Sequence, residues 1–255
     1  MDAIFALAVL LVVPISVRFP YSLFALIVGL MPLLAFWFYS KALIIEEVSR
    51  IITLFQLIPV FIVMLSVIFL NEVLDVQKYS GIILIVIASM LISYKKSRGE
   101  KPFSSAFKFM IPFGLIIATY TILEKHLLEF LDFWSLFFWI VLGAFCGVIF
   151  LLCFAQPRKE FTQTISIVGK RTVFVTFIGE GLYVIGKLCS LVAMSLADVS
   201  LVSALLGLQP FYIFFYMLFL SHFLPKILEE EIGKSIVVLK ISAMALMFMG
   251  TWLVV

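Results

Sequence analysis

Apolar runs long enough to span a bilayer follow one another along the chain, separated by short polar breaks. They fall at about 3–17, 20–40, 49–70, 79–94, 107–129, 132–154, 172–195, 199–221 and 235–255, which predicts nine helices and little else. The runs are apolar on all sides, whereas a membrane barrel would alternate polar and apolar positions along each strand. Polar punctuation marks the breaks at Asn71-Glu72, Lys95–Pro102, Gln156–Glu160 and Pro225–Lys234. The expected fold is therefore all-α and polytopic.

Composition strengthens this reading. Of the 255 residues, 64% are hydrophobic and only 13% charged, with a mean hydropathy of +1.24. A soluble domain is about a quarter charged, so the surplus apolar surface must face lipid, and the bilayer is the first expected partner. The N-terminal run MDAIFALAVLLVVP lacks a positive leading region and a small-x-small cleavage site, and is expected to be a retained helix. At roughly 22 Å from Ala3 to Val17 it is short for a hydrocarbon core of ~30 Å.

The distribution of basic residues sets the expected orientation. Of the 18 Lys and Arg residues, fourteen lie in or near breaks 2–3, 4–5, 6–7 and 8–9, on the side of the N-terminus. Only Arg18, Lys78, Lys125 and Lys187 lie elsewhere, so the N-terminus is expected in the cytoplasm and the C-terminus outside. Cys146, Cys153 and Cys189 sit in apolar runs without CxxC spacing and are expected to pack rather than bind metal. With His126 and His222 the only histidines, no metal site and no cofactor is expected. No basic tract with interleaved aromatics points to nucleic acid, and no GxxxxGK[ST] loop points to nucleotide hydrolysis.

The chain repeats itself at an offset of 151 residues. Segment 42–62 aligns with 193–213 with seven identities in twenty-one positions. Glu47-Val48-Ser49 meets Asp198-Val199-Ser200, and ten residues after each serine comes a proline, Pro59 and Pro210. These are the third and eighth predicted helices, so the two copies must cross the membrane in opposite directions. Inverted repeats give many secondary transporters two interconvertible states around one central site. Pro59 and Pro210 are the expected hinges, placed mid-helix, and the two segments are expected to enclose a shared solute chamber.

The stretch Tyr39-Ser-Lys-Ala-Leu, Glu47-Val-Ser-Arg, Leu57-Ile-Pro-Val-Phe61, Phe69-Leu-Asn-Glu72 and Gly81-Ile-Ile-Leu resembles the EamA family of the drug/metabolite transporter superfamily. Ala193, Asp198-Val-Ser-Leu-Val-Ser-Ala-Leu and Gln209-Pro-Phe repeat the resemblance. It implies two five-helix inverted repeats that carry small metabolites by alternating access. Matching motif to motif leaves the first repeat one helix short. The expected division is residues 1–94 as a four-helix repeat, 95–106 as a basic loop, and 107–255 as a five-helix repeat. The resemblance also implies both termini in the cytoplasm, against the orientation that the charges favour.

Candidate site residues are the polar groups at membrane depth. Glu180, Tyr183 and Lys187 share one helical face, with ~10 Å of rise between the two charges. An ionisable group facing lipid costs several kcal/mol, so this face should turn inward. Glu180 is expected to take and release a proton and Lys187 to hold an anionic substrate group; an internal ion pair is the alternative role. Gly179, Gly181 and Gly186 are expected to let neighbouring backbones approach. Gln209 beside Pro210, its counterpart Gln56, and Tyr120 complete the expected substrate site. Glu124-Lys125-His126 is expected to be a solvated helix end, and Tyr39 with Lys41 an interfacial anchor.

The sequence therefore points to a multi-pass protein of the cell (inner) membrane. Its expected activity is secondary-active transport of a small metabolite or drug-like solute, with proton coupling through Glu180, and a homodimer is compatible with it. A non-transporting scaffold or an intramembrane lipid-modifying enzyme is the alternative. The inverted repeat weighs against both, and the absence of GxSxG, a metal set or paired carboxylates at depth weighs against the enzyme.

Overall fold

The computed structural model describes residues 13–45, 51, 54, 55, 57–93, 106–209, 212, 216 and 234–254. Its helices are α1 (Tyr21–Val28), α2 (Met31–Ile45), α3 (Leu57–Phe69), α4 (Val76–Ser93), α5 (Phe107–Leu127), α6 (Phe133–Leu152), α7 (Ala155–Ile167), α8 (Lys170–Leu196), α9 (Val199–Leu206) and α10 (Lys234–Val254). No strand occurs among the described residues. Four described stretches are long and apolar enough to cross a membrane: Tyr21–Ile45, Phe107–Leu127, Phe133–Leu152 and Arg171–Leu196. The chain is an integral, multi-pass membrane protein.

Several boundaries differ from the hydropathy reading, each for a local reason. The first predicted helix does not extend to residue 17, because the described residues from Pro14 to Arg18 are not helical. The second is divided into α1 and α2. Pro32 has no N–H to give the Val28 carbonyl, so the ladder fails there and Gly29-Leu30 turn instead. The break after residue 154 is itself helical. Its α7 is polar, carries Pro157 in the first turn where no N–H is needed, and is braced by Gln156 donating to Glu160 at 3.3 Å. A search for apolar runs passes over such a helix. The basic loop 95–106 lies outside the described residues apart from Ala106.

The chain forms two compact units, one of Met1–Phe36 with Thr119–Ala197 and one of Trp37–Ala118 with Asp198–Val255. A compact unit and a sequence repeat are different divisions, and each unit draws on both halves of the sequence.

In the first unit α6 packs on α1, α7 and α8. Gly143 and Gly29 make the α1–α6 approach possible: a Cβ on Gly143 would overlap the Leu26 carbonyl oxygen, and one on Gly29 the Ile140 oxygen. Asp132 caps α6 by accepting from the Ser135 N–H at 3.0 Å. Burial alone would raise the Asp132 carboxyl. Hydrogen bonds from the Ser135 side chain and backbone and from the Ser16 hydroxyl outweigh it and hold the group below its ordinary value. The cap is thus complete at neutral pH and weakens only as pH falls through that lowered value. Ser16 also donates its N–H to Ser135 Oγ at 2.8 Å, while Trp139 Nε1 donates to the Ser16 carbonyl at 3.1 Å.

In the second unit α3 and α9 pack directly on each other. Ser66 hydrogen-bonds Ser200, while Pro59 lies against Gly207, so the two helices run antiparallel. Asn71 adopts the left-handed region at φ 52° and turns the chain after α3. That turn brings the buried Glu72 carboxylate onto the N-terminus of α9, where it accepts from Val199 N–H at 2.8 Å, Ser200 N–H at 3.2 Å and Ser200 Oγ at 2.7 Å. Between the repeated segments themselves, Pro59 lies against Gly207. Pro59 lies within α3. Pro210 and Gln56 lie outside the described residues.

Among the described residues nothing lies within 4 Å of where a Cβ on Gly179 or Gly186 would sit, so no described backbone makes the close approach expected there. The three cysteines are exposed rather than packed inside. The contrast among glycines is testable by thermal unfolding in detergent. Gly143→Val should lose about 1–3 kcal/mol or more, because the added carbon meets backbone that cannot yield. Gly186→Ala should be neutral or gain up to ~1 kcal/mol of helix propensity.

Candidate functional site

The first unit holds a cavity of about 470 Å³. Pro32, Leu33 and Phe36 of α2, Tyr120 and Glu124 of α5, one face of α6 from Phe137 to Val148, and one face of α8 from Glu180 to Leu191 line it. On α6 the lining positions 137, 140, 141, 144, 145 and 148 recur at helical spacing, which leaves Gly143 and Gly147 free to face α1 and α2. On α8, Glu180, Tyr183, Val184, Lys187 and Leu191 form one stripe. The exposed Phe174, Ile178, Leu182 and Ile185 cover the rest of that helix. The inward polar face is the arrangement that membrane desolvation demands.

Lys187 is engaged by Glu124. Its ammonium lies 2.6 Å from both carboxylate oxygens and donates a hydrogen bond to Oε2. Glu124 is 0% exposed and Lys187 17%. The same ammonium stands over the Tyr120 ring, 4.5 Å from its centroid, which adds a cation–π contact. The internal ion pair considered for Lys187 therefore exists, with Glu124 as partner rather than its helical neighbour Glu180.

The Glu124-Lys125-His126 end is not simply solvated. Glu124 turns into the cavity, and Lys125 donates to the carbonyls of Met194 at 2.6 Å and Ala197 at 2.8 Å, closing the C-terminal end of α8. Only His126 faces outward, 3.6 Å from Glu129. Sequence reasoning missed Glu124 because it lies in the last turn of α5, where a charge needs no internal partner.

Of the residues expected to bind substrate, Glu180, Tyr183, Lys187 and Tyr120 are brought together. Gln209 is exposed and is not part of this cavity. Tyr39, expected as an interfacial anchor, joins Phe55 and Phe113 in an aromatic cluster, with ring centroids 5.5 and 5.6 Å away. Among the described residues no group of three or more His, Cys, Asp or Glu could hold a metal ion.

Residues 2–94 match the EamA-like transporter family. This segment is EamA-like. The match agrees with the resemblance carried by Tyr39 through Gly81. No curated protein matches the chain. Among solved structures 22 chains match. One, described only as the crystal structure of a protein, superposes with a TM-score of 0.70 at 16% identity, over 99% of this chain and 80% of its own. That likeness establishes a shared fold.

The ion pair is open to a double-variant cycle. Lys187→Met alone should destabilise the protein by about 3–5 kcal/mol, because it strands a buried carboxylate. Adding Glu124→Leu should restore most of that loss in the same unfolding measurement, since an apolar pair needs no charge partner.

Proposed function

We propose that this EamA-like protein is a secondary-active carrier of the cell (inner) membrane. It moves a small metabolite or drug-like solute by alternating access, and the cavity of the first unit is its binding site. The observation that carries this reading is an apolar, aromatic chamber with a few convergent charges inside a multi-pass membrane protein. Its volume of about 470 Å³ falls in the range of small-molecule sites, ~300–1,000 Å³. Tyr120 and Tyr183 supply faces for an apolar solute, and the Lys187–Glu124 pair fixes one wall.

Alternating access rests on nine spans arranged as two inverted repeats. The offset of 151 residues, the seven identities and the antiparallel packing of α3 on α9 support that arrangement. Pro59 and Pro210 are the positions at which the two copies would bend.

The drive is a proton gradient acting through Glu180. Lys187 is occupied by Glu124, so among the described lining residues Glu180 is the acid available to change protonation during the cycle. In proteoliposomes Glu180→Gln should abolish uptake driven by a pH gradient while leaving the melting temperature near that of the parent. Gradient-driven uptake that survives this change would remove Glu180 from the coupling.

A further inference from the structure

The charges that line the cavity determine which solutes it favours. Two carboxylates, Glu124 and Glu180, face one ammonium, Lys187, which leaves one negative charge in excess. Lys187 is already neutralised by Glu124 at 2.6 Å, so the excess resides on Glu180. Among the described residues Glu180 has no ion-pair partner. The sequence alone points to Lys187 as the holder of an anionic group. In the structure its ammonium is engaged by Glu124 instead.

We propose that the cavity selects a monovalent organic cation, an amine or quaternary ammonium on an apolar body, with Glu180 as its counter-charge. This deepens the carrier reading and rests on the same cavity. The molecule itself displays the chemistry required, because the Lys187 ammonium is held between a carboxylate and the face of Tyr120 at 4.5 Å. A solute cation that leaves water regains stabilisation from the same two kinds of group, a carboxylate and aromatic faces. Phe36, Phe145 and Tyr183 line the cavity with Glu180 and supply those faces. An anion of equal size meets an uncompensated carboxylate and finds Lys187, the one ammonium among the described lining residues, already paired.

The test is equilibrium binding to the purified full chain in detergent. Benzyltrimethylammonium is compared with benzenesulfonate, an anion of similar size and similar solubility in water. The cation should bind at least tenfold more tightly. Glu180→Gln should weaken cation binding at least tenfold with an unchanged melting temperature, and Glu180→Asp should keep it within about threefold. Benzenesulfonate binding as tightly as the cation, no binding of the cation at all, or undiminished cation binding by Glu180→Gln would each overturn the proposal. Uptake assays in vesicles separate this inference from the carrier reading. Selective cation binding without uptake would defeat the carrier alone, whereas robust uptake of anions or neutral solutes without cation binding would defeat the inference alone.

Discussion

The ion pair between Lys187 and Glu124 is the constraint on which the first unit depends. A lysine in the middle of α8 cannot face hydrocarbon without a cost of several kcal/mol. Its solution is a carboxylate on a helix distant in sequence, with the Tyr120 ring beneath the ammonium. The pair fixes which face of α8 turns inward. Glu180, Tyr183 and Leu191 share that face by helical spacing, so one electrostatic contact orients most of the cavity's polar lining. Lys125 fastens the same two helices a second time through the carbonyls at the end of α8.

The second unit meets a similar difficulty by different means. Glu72 is buried as well, yet its described hydrogen bonds come from the start of α9 rather than from a cationic side chain. Orphan N–H groups and the positive end of a helix dipole stabilise a carboxylate well. One buried acid thus serves folding, closing the end of α9. Glu124 and Glu180 of the first unit face a cavity. Burial alone does not separate structural from functional carboxylates; what each one faces does.

Much of this was legible in the chain. The α8 stripe followed from i, i+3, i+7 spacing and membrane energetics, and the extents of α5, α6 and α8 followed from hydropathy. Glu124 and Glu72 were not legible, because each sits at a helix end or in a turn, where hydropathy assigns charges to water. Their partners lie 63 and 127 residues away in sequence, beyond any local pattern. The repeated segments pointed to a cavity between them; α3 and α9 are packed on each other through Ser66 and Ser200, and a cavity lies beside α6. Polar α7 escaped a search tuned to apolar runs.

The central claim is that solute occupies the cavity beside α6. Ala144 lines that cavity and lies within α6. In a background with Cys146, Cys153 and Cys189 changed to serine, the rate at which an Ala144→Cys thiol is alkylated reports directly on occupancy. A solute that the protein transports should slow that alkylation in proportion to its saturation of transport. An alkylation rate unchanged by saturating, transported solute would place the solute elsewhere and contradict the account.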